Sequence, residues 1–229
     1  MWKRLIAIGL FTAMLLVGAF GYAALKTPAA PSGPIQSVTL AFDGGSSAVA
    51  SSATLYEIQA GASRATFQLG EVLNGQPNTV VGETDQVSGQ IGLSLDQPQS
   101  AQVGTILVNA RTLATDDAQR NRVIMNVILA TDQNEFISFK PTAISGLPAS
   151  SAIGEPQNLT LTGQLTIRGV TREATFNATV TPVSATELDG TASTTVRFAD
   201  WGINIPDVPF VAGVSDTAQL QLTFVAVAS

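Results

Sequence analysis

The sequence predicts an all-β domain of antiparallel strands, and three observations support this prediction. Apolar residues recur at every second position in many short segments, which is the pattern of strands with one buried face. Glycine, proline, Asn-Gly and Asp-Gly separate these segments, and only residues 116–129 show helical spacing instead. An antiparallel chain of this length closes as a barrel or as a two-sheet sandwich, and periodicity alone leaves both open.

The N-terminus is predicted to be a targeting segment outside this fold. Lys3 and Arg4 precede residues 5–25, a run without a charged side chain. This pattern fits either a cleaved signal peptide or an uncut anchor, because about 20 apolar helical residues span a bilayer. We assign residues 1–26 to a signal peptide or N-terminal membrane anchor. The rest of the chain is then exported: it is membrane-anchored and faces outside the cytoplasm if uncut, and it is periplasmic or secreted if cleaved.

Residues 27–53 are predicted to form a flexible linker. Proline, serine and alanine dominate this stretch, and such a composition cannot build a hydrophobic core. Its short apolar piece, residues 38–42, is the one part that could add a strand. The folded domain is predicted over residues 54–229.

The clearest strand pair lies between residues 159 and 180. In residues 159–167, leucine and isoleucine alternate with threonine and glutamine, and residues 174–180 repeat the alternation. Residues 168–171 connect the two segments, so we expect a hairpin. Similar alternation elsewhere brings the expected number of strands to seven or eight.

One short helix is predicted to interrupt the sheet over residues 116–129. Thr115 is suited to the N-cap, and Asp116 and Asp117 would place acidic groups in the first turn, where the helix dipole favours them. The apolar residues at helical spacing are Val123, Ile124, Val127 and Ile128. We expect this helix to plug a barrel end or to cover a sheet edge.

Composition excludes several functions. The chain contains neither His nor Cys, so it has no disulfide, no thiolate nucleophile, no Ser-His-Asp triad and no imidazole ligand for a metal. The net charge is −6 and the cations are scattered, which argues against a nucleic-acid partner. The acidic pairs are predicted to lie at the helix start and in solvated turns: Asp116 with Asp117 at the helix, and Asp132 with Glu135 and Glu187 with Asp189 in the turns. We therefore predict no enzyme, no catalytic residue and no metal site, although a metal bound only by carboxylates is not excluded.

One stretch resembles a known family. Residues 161–172, Leu-Thr-Gly-Gln-Leu-Thr-Ile-Arg-Gly-Val-Thr-Arg, are similar to the signature hairpin of the YceI-like family of exported lipid-binding proteins. Residues 81–89, 108–113 and 198–203 resemble further family blocks in the same order. The resemblance covers about residues 54–229. It implies an extended lipocalin-like antiparallel β-barrel whose lumen holds a polyisoprenoid or similar long apolar chain.

The chain also departs from that family in two places. Many members carry a Tyr-Pro pair where this chain has residues 133–135, Gln-Asn-Glu, and members often place a His in the interrupting helix. Because this chain has no His, a His contact to the ligand headgroup is excluded. The polar end of a ligand must meet another group.

The resemblance predicts that inward apolar residues line the lumen. From the pattern alone, the same aromatic residues could simply fill a core, as could Phe136. The predicted lumen residues are Phe67, Leu69, Ile91, Leu93, Ile106, Val108, Ile124, Ile128, Phe139, Leu165, Ile167, Phe176, Phe198 and Trp201.

Three arginines are candidates for a headgroup contact. Arg120 and Arg122 stand two apart on the helix, so they point to different faces and cannot form one fork. Their alternative is a solvated helix face paired with Asp116 or Asp117. Arg168 precedes Gly169 in the hairpin connection, and its alternative is a structural charge at a strand end.

Two functions remain open from the sequence. The first is non-enzymatic binding or carriage of a long apolar isoprenoid-type lipid, a quinone or polyprenyl phosphate, in the lumen. This carrier needs no cofactor besides the lipid, touches the membrane through residues 5–25 if uncleaved, and leaves open whether it forms a homodimer. The second is a cell-surface β-sandwich interaction module with a solid core. The carrier predicts a continuous apolar tunnel, whereas the module predicts no internal cavity.

Overall fold

The structure is a computed structural model that describes residue 21 and residues 26–40, 53–206 and 211–229, with the backbone alone at 211 and 212. The predicted targeting segment lies outside the described residues, apart from Gly21. Within the described part of the chain, no helix is both long and apolar enough to cross a membrane. The predicted boundaries of the leader, linker and domain stay predictions.

Thirteen strands in the described chain form one sheet, and every pairing between them is antiparallel. They are β1 Thr54–Ile58, β2 Arg64–Leu73, β3 Gln76–Thr84, β4 Val87–Ser88, β5 Gln90–Leu93, β6 Gln102–Val103, β7 Ile106–Asn109, β8 Phe136–Ser145, β9 Gln157–Ile167, β10 Val170–Ser184, β11 Glu187–Arg197, β12 Val211–Ala212 and β13 Thr217–Ala228. Short 3₁₀ turns occupy Pro98–Ser100, Ala110–Thr112 and Phe198–Trp201.

The sheet closes on itself as a barrel. Its order runs β4-β7-β8-β9-β10-β11-β13, and β13 then pairs with β2 and β1 one after the other along its length. β3 pairs with β2, and β5 pairs with β1. Because β4 lies between β3 and β5 along the chain, the strand order leads back to β4, where it began. The thirteen segments therefore occupy about eight wall positions. The predicted barrel is confirmed, and the two-sheet sandwich is excluded.

The predicted hairpin is confirmed, with a shorter connection than expected. β9 and β10 pair from Ile167 opposite Val170 to Gln157 opposite Val180. Only Arg168 and Gly169 form the turn, with φ of 52° and 73°. Two successive residues with positive φ make a type I′ turn, whose twist matches that of the flanking strands. Residues 170 and 171, which the sequence placed in the connection, belong to β10.

The interrupting helix is shorter and less regular than predicted. α1 spans Ala118–Val123 and continues as a π-helical turn over Ile124–Ile128. The predicted Thr115 N-cap is wrong: the Asp117 carboxylate accepts the hydrogen bond from the Arg120 backbone N–H at 2.7 Å. The Thr115 hydroxyl instead bonds the Asn121 side chain at 2.7 Å. A carboxylate at the N-cap stabilises the helix both by this hydrogen bond and by placing its negative charge at the positive end of the helix dipole.

The buried side chains form two clusters, one toward each end of the barrel. The cluster near α1 includes Leu113, Ile124 and Trp201. The cluster at the other end includes Tyr56, Leu188 and Phe224. Tyr56 is 1% exposed and donates its hydroxyl to the Ala185 carbonyl at 2.9 Å, and burial raises the pKa of this tyrosine despite an opposing hydrogen bond with Thr54. We call the end with α1 the mouth end and the opposite one the far end.

Residues 26–40, here called the N-terminal arm, lie against the outside of the barrel. The Ser32 backbone N–H donates to Glu135 Oε1 at 2.8 Å, and the Leu40 backbone N–H donates to Gln90 Oε1 at 2.8 Å. The Ser88 hydroxyl bonds the Gln36 carbonyl at 3.0 Å. The described part of the predicted extra strand, residues 38–40, is not in a strand.

Candidate ligand-binding cavities

The barrel encloses an inner cavity of about 190 Å³. Residues of the strands from β1 to β13 supply most of its wall, and all of them are apolar except Thr66 and Gln221. These two alternate in sequence with the inward residues of β2 and β13, so their side chains point outward. The side chains that face the inner cavity are therefore apolar.

A second, larger cavity of about 700 Å³ lies toward the mouth end, and we call it the mouth cavity. Strands β2, β11 and β13 form one part of its wall, whereas α1, the π-helical turn and the side chains of Ile203, Ile205 and Pro206 form another. Five polar residues join this lining: Glu71, Asn74, Asp117, Gln119 and Arg120.

The two cavities adjoin. Phe67, Leu113, Ile137 and Leu220 line both of them. The interior is thus one lumen in two parts, apolar at the far side and polar-rimmed at the mouth. The solid core that the interaction module predicts is absent from the described barrel.

Thirteen of the fourteen predicted lumen residues line one cavity or both. Those on the inner cavity are Phe67, Ile91, Leu93, Ile106, Val108, Phe139, Leu165 and Phe176. Those on the mouth cavity are Phe67, Leu69, Ile124, Ile128, Ile167 and Phe198. Their contact with a ligand stays a prediction.

The aromatic side chains divide between lumen and wall. Phe139 and Phe176 pack with ring centroids 4.6 Å apart and line the inner cavity. Trp201 lines neither cavity: it is 4% exposed, and its indole N–H donates to the Leu165 carbonyl at 3.3 Å, which ties the Phe198–Trp201 turn to β9. Phe136 lies on the outside and is 38% exposed.

Burial also distinguishes a hollow lumen from a packed core. Phe67, Phe176, Leu220 and Leu222 point inward yet are only partly buried. In a core at normal packing density such side chains are surrounded on every side. Their residual exposure is to the cavity, so the strand pattern correctly found the inward face but could not show that the face lines a space.

One ion-pair cluster lies on the wall of the mouth cavity. Arg120 Nη2 is 3.2 Å from Glu71 Oε1, and Arg120 Nη1 is 2.6 Å from Asp116 Oδ1. Glu71 Oε1 also accepts from the Asn78 side chain at 2.8 Å. The Glu71 side chain is 6% exposed and that of Arg120 22% exposed. The predicted pairing with Asp116 is present, but Arg120 also turns a second nitrogen to a buried carboxylate.

Sequence reasoning missed Glu71, although a signal for it existed. On β2, Ala65, Phe67 and Leu69 alternate inward, and continuing the same period reaches Glu71 and then Leu73. A buried charged residue at an inward position requires a partner of opposite charge. The identity of that partner could not be read from sequence, because Arg120 is 49 residues away on α1.

The other two headgroup candidates lie outside both cavities. Arg122 is exposed on α1 and has no ion pair or hydrogen bond with any described residue. Arg168 donates from Nη1 to the Gly202 carbonyl at 3.2 Å, which links the β9–β10 turn to the Phe198–Trp201 turn. The structure therefore brings only Arg120 to the lumen.

A second polar cluster lies outside the barrel at the mouth end. Arg111 Nη1 is 2.8 Å from Glu135 Oε2, and the same guanidinium donates to the carbonyls of Thr131, Asp132 and Ala30. Burial acts to raise the pKa of Glu135, but hydrogen bonds from Ser32 and Asn109 and the charge of Arg111 together lower that pKa below its usual value. Sequence reasoning placed Glu135 in a solvated turn, and this is wrong: its side chain is 11% exposed.

An antiparallel barrel with an apolar lumen and a polar-rimmed mouth defines a lipocalin-like class of protein. The sequence model of the YceI-like domain matches residues 56–226. The chain therefore belongs to the YceI-like family, as the hairpin motif indicated. No curated protein sequence matches this chain.

Solved structures show the same fold at low sequence identity. A polyisoprenoid-binding domain from Saccharophagus degradans, implicated in plant cell wall breakdown, superimposes with a TM-score of 0.57 at 16% identity, covering 76% of this chain and 98% of that domain. Burkholderia cenocepacia BcnA gives a TM-score of 0.56 at 16% identity, covering 73% of this chain and 98% of BcnA. The YceI protein of Campylobacter jejuni gives a TM-score of 0.52 at 13% identity, covering 65% of this chain and 84% of that protein.

Proposed function

We propose that this protein binds a long apolar isoprenoid-type lipid in its lumen, outside the cytoplasm, and catalyses no reaction. The observation that carries the proposal is the two-part lumen, whose inner cavity presents only apolar side chains. The similar fold of a polyisoprenoid-binding domain supports it. The predicted export through residues 5–25 supplies the location.

Binding in such a lumen rests on many weak contacts. Each CH₂ group transferred from water gains about 0.8 kcal/mol, so a chain of several isoprene units needs no specific motif to be held. The inner cavity receives the end of the tail, and the mouth cavity receives the rest of the chain and the head. This division matches the apolar lining of the inner cavity and the polar residues of the mouth cavity.

The charges at the mouth favour a neutral headgroup. Arg120 already faces Glu71 and Asp116, and Asp117 also lines the mouth cavity, so these four groups carry a net negative charge. A phosphate head would meet repulsion there. A quinone is uncharged and accepts hydrogen bonds, which the amides of Gln119 and Asn74 can donate. We therefore favour a quinone over a polyprenyl phosphate.

The lipid that accompanies the protein tests this proposal. The full chain is expressed in bacteria, extracted in mild detergent and measured by native mass spectrometry, and the bound material is then extracted and identified. We expect one prenyl-tailed molecule per chain, with a quinone preferred when a quinone and a polyprenyl phosphate compete. A chain that stays unliganded after incubation with both lipids would refute lipid binding, and preferential uptake of the phosphate would refute the headgroup assignment.

A further inference from the structure

The N-terminal arm begins at the mouth end. The Asn126 side chain donates to the Lys26 carbonyl at 2.7 Å, and Lys26 Nζ is 3.6 Å from Asp132 Oδ2. Asn126 lies in the π-helical turn, where Ile124 and Ile128 line the mouth cavity. Residue 26 directly follows the predicted apolar segment 5–25. A membrane segment that ends there leaves almost no length of chain between the bilayer and the mouth.

Charge divides the two ends of the barrel. Glu57 and Glu187 both pair with Val227 at the far end, and Glu155 follows Gly154, which bonds the Pro182 carbonyl there. With Asp96 and Asp189, five carboxylates lie at this end, and no cation in the described chain accompanies them.

The rest of the described chain is nearly neutral instead. It carries ten carboxylates and nine cations. Seven of these cations lie toward the mouth end: Lys26, Arg111, Arg120, Arg122, Arg168, Arg172 and Arg197. An anionic lipid surface repels the far end and leaves the mouth end as the face that can approach it.

The rim of the mouth has the side chains that suit a bilayer surface. Val123, Ile205 and Pro206 line the mouth cavity and are only partly buried. Arg122, next to Val123, is exposed and without an ion pair or hydrogen bond to any described residue. Apolar side chains flanked by an exposed cation are the elements of interfacial membrane binding.

We propose that the mouth end docks on the lipid bilayer that residues 5–25 enter, so that a lipid passes between bilayer and lumen without crossing water. This inference rests on the proposed function, because it requires that residues 5–25 remain attached and that the ligand comes from the membrane. It adds the orientation of the barrel and the surface that makes contact.

The absence of cysteine from the chain allows a direct test. Single substitutions place one fluorophore at each of four exposed sites in the full chain: Ala118→Cys and Asn204→Cys at the mouth end, and Gln97→Cys and Ala185→Cys at the far end. Each labelled protein is inserted into vesicles of phosphatidylethanolamine and phosphatidylglycerol that contain a lipid quencher near the headgroups. We expect about twofold or greater excess quenching at the mouth sites over the far sites, because interfacial docking buries apolar side chains about 5–10 Å into the boundary between headgroups and acyl chains.

Equal quenching at both ends, or stronger quenching at the far end, would overturn the docking, as would a mass showing that residues 5–25 are removed. Because each end has two labelling sites, the two ends can still be compared if one variant fails to fold. Lipid extracted from the same samples separates the two proposals. Bound lipid with equal quenching refutes the docking alone, whereas quenching at the mouth without bound lipid refutes the proposed function and leaves the orientation standing.

Discussion

The inner and mouth cavities share four side chains and belong to one lumen, yet their walls are made differently. Strand residues supply most of the inner wall, and alternation gives them a uniform apolar face. The mouth wall combines strand ends with α1, a π-helical turn and an irregular segment, and it carries five polar residues. Regular strands thus form an apolar space suited to a lipid tail. The polar side chains of the lumen lie at the mouth, where strand ends, helix and irregular segment pack together.

The Glu71–Arg120 pair shows how this meeting occurs. Glu71 is two residues from the end of β2, and only Leu73 follows it on the inward face of that strand. Arg120 reaches it from α1, and Asp117 caps the same helix. If the pair organises the mouth, then removing one partner should damage the mouth and leave the inner barrel intact.

The largest effect is expected from Arg120→Met. Among the described residues, this change leaves the buried Glu71 carboxylate with the Asn78 amide as its one remaining partner, and a buried charge without a counter-ion is costly. We expect a loss of about 2 kcal/mol in the free energy of unfolding, below the 3–5 kcal/mol of a fully buried pair because Arg120 is partly exposed. Urea unfolding of the full chain in mild detergent measures the loss.

Two further variants control that measurement. Arg122→Met removes a cation from the same helix without breaking an ion pair among the described residues, and it should change stability by no more than about 0.5 kcal/mol. Glu71→Gln in the Arg120→Met background removes the buried charge and should restore most of the loss. If the double variant is as unstable as Arg120→Met, the unpaired carboxylate is not the cause.

A smaller effect is expected from Ala192→Leu, which narrows the inner cavity. Ala192 lines that cavity on β11, and the added carbons displace about two CH₂ groups of a bound tail, worth about 1.6 kcal/mol. Affinity for a long-tailed prenyl lipid should fall about tenfold, whereas a short-tailed analogue that stays within the mouth cavity should bind as before. A lipid titration followed by native mass spectrometry compares the two tails.

Thr191→Leu is the matched control for this variant. It places the same side chain on the neighbouring residue of β11, which is exposed on the outside of the barrel. Affinity for both tails should stay unchanged. An equal loss for the long and short tails in Ala192→Leu would show that the inner cavity does not hold the tail end.

Sequence predicted the barrel wall well because its signal is local. Alternation identified the inward faces of β2, β9, β10 and β13, and it predicted the β9–β10 hairpin with a connection over residues 168–171 that is two residues too long. All ten predicted lumen residues that lie on strands line a cavity for the same reason, whereas helical spacing found Ile124 and Ile128. Trp201 lines neither cavity: it is the last residue of the 3₁₀ turn after β11, where period-two alternation no longer tells which way a side chain points.

The polar groups were harder to predict because their partners are distant in sequence. Glu71 meets Arg120 across 49 residues, and Ser32 meets Glu135 across 103. No spacing rule connects such pairs. The existence of a hollow lumen also escaped the pattern, since inward leucine and phenylalanine look the same whether they fill a core or line a space.

The smallest expected effect is a loss of hydrogen-exchange protection on acidification, which should occur at the mouth end and not around the inner cavity. The folded protein lowers the pKa of Glu135, so the stability from its bonds to Ser32, Asn109 and Arg111 is present above the usual glutamate pKa and is lost as pH falls through the lowered value. Hydrogen-exchange protection, measured relative to the intrinsic exchange rate at each pH, should therefore fall on acidification in the N-terminal arm, residues 26–40, and in residues 109–111. The amides of β9, β10 and β11, which wall the inner cavity, should keep their protection. In Glu135→Gln the protection of the arm should already be lower at neutral pH, with little further loss on acidification. An arm that loosens with acid equally in this variant would assign the pH response to another group.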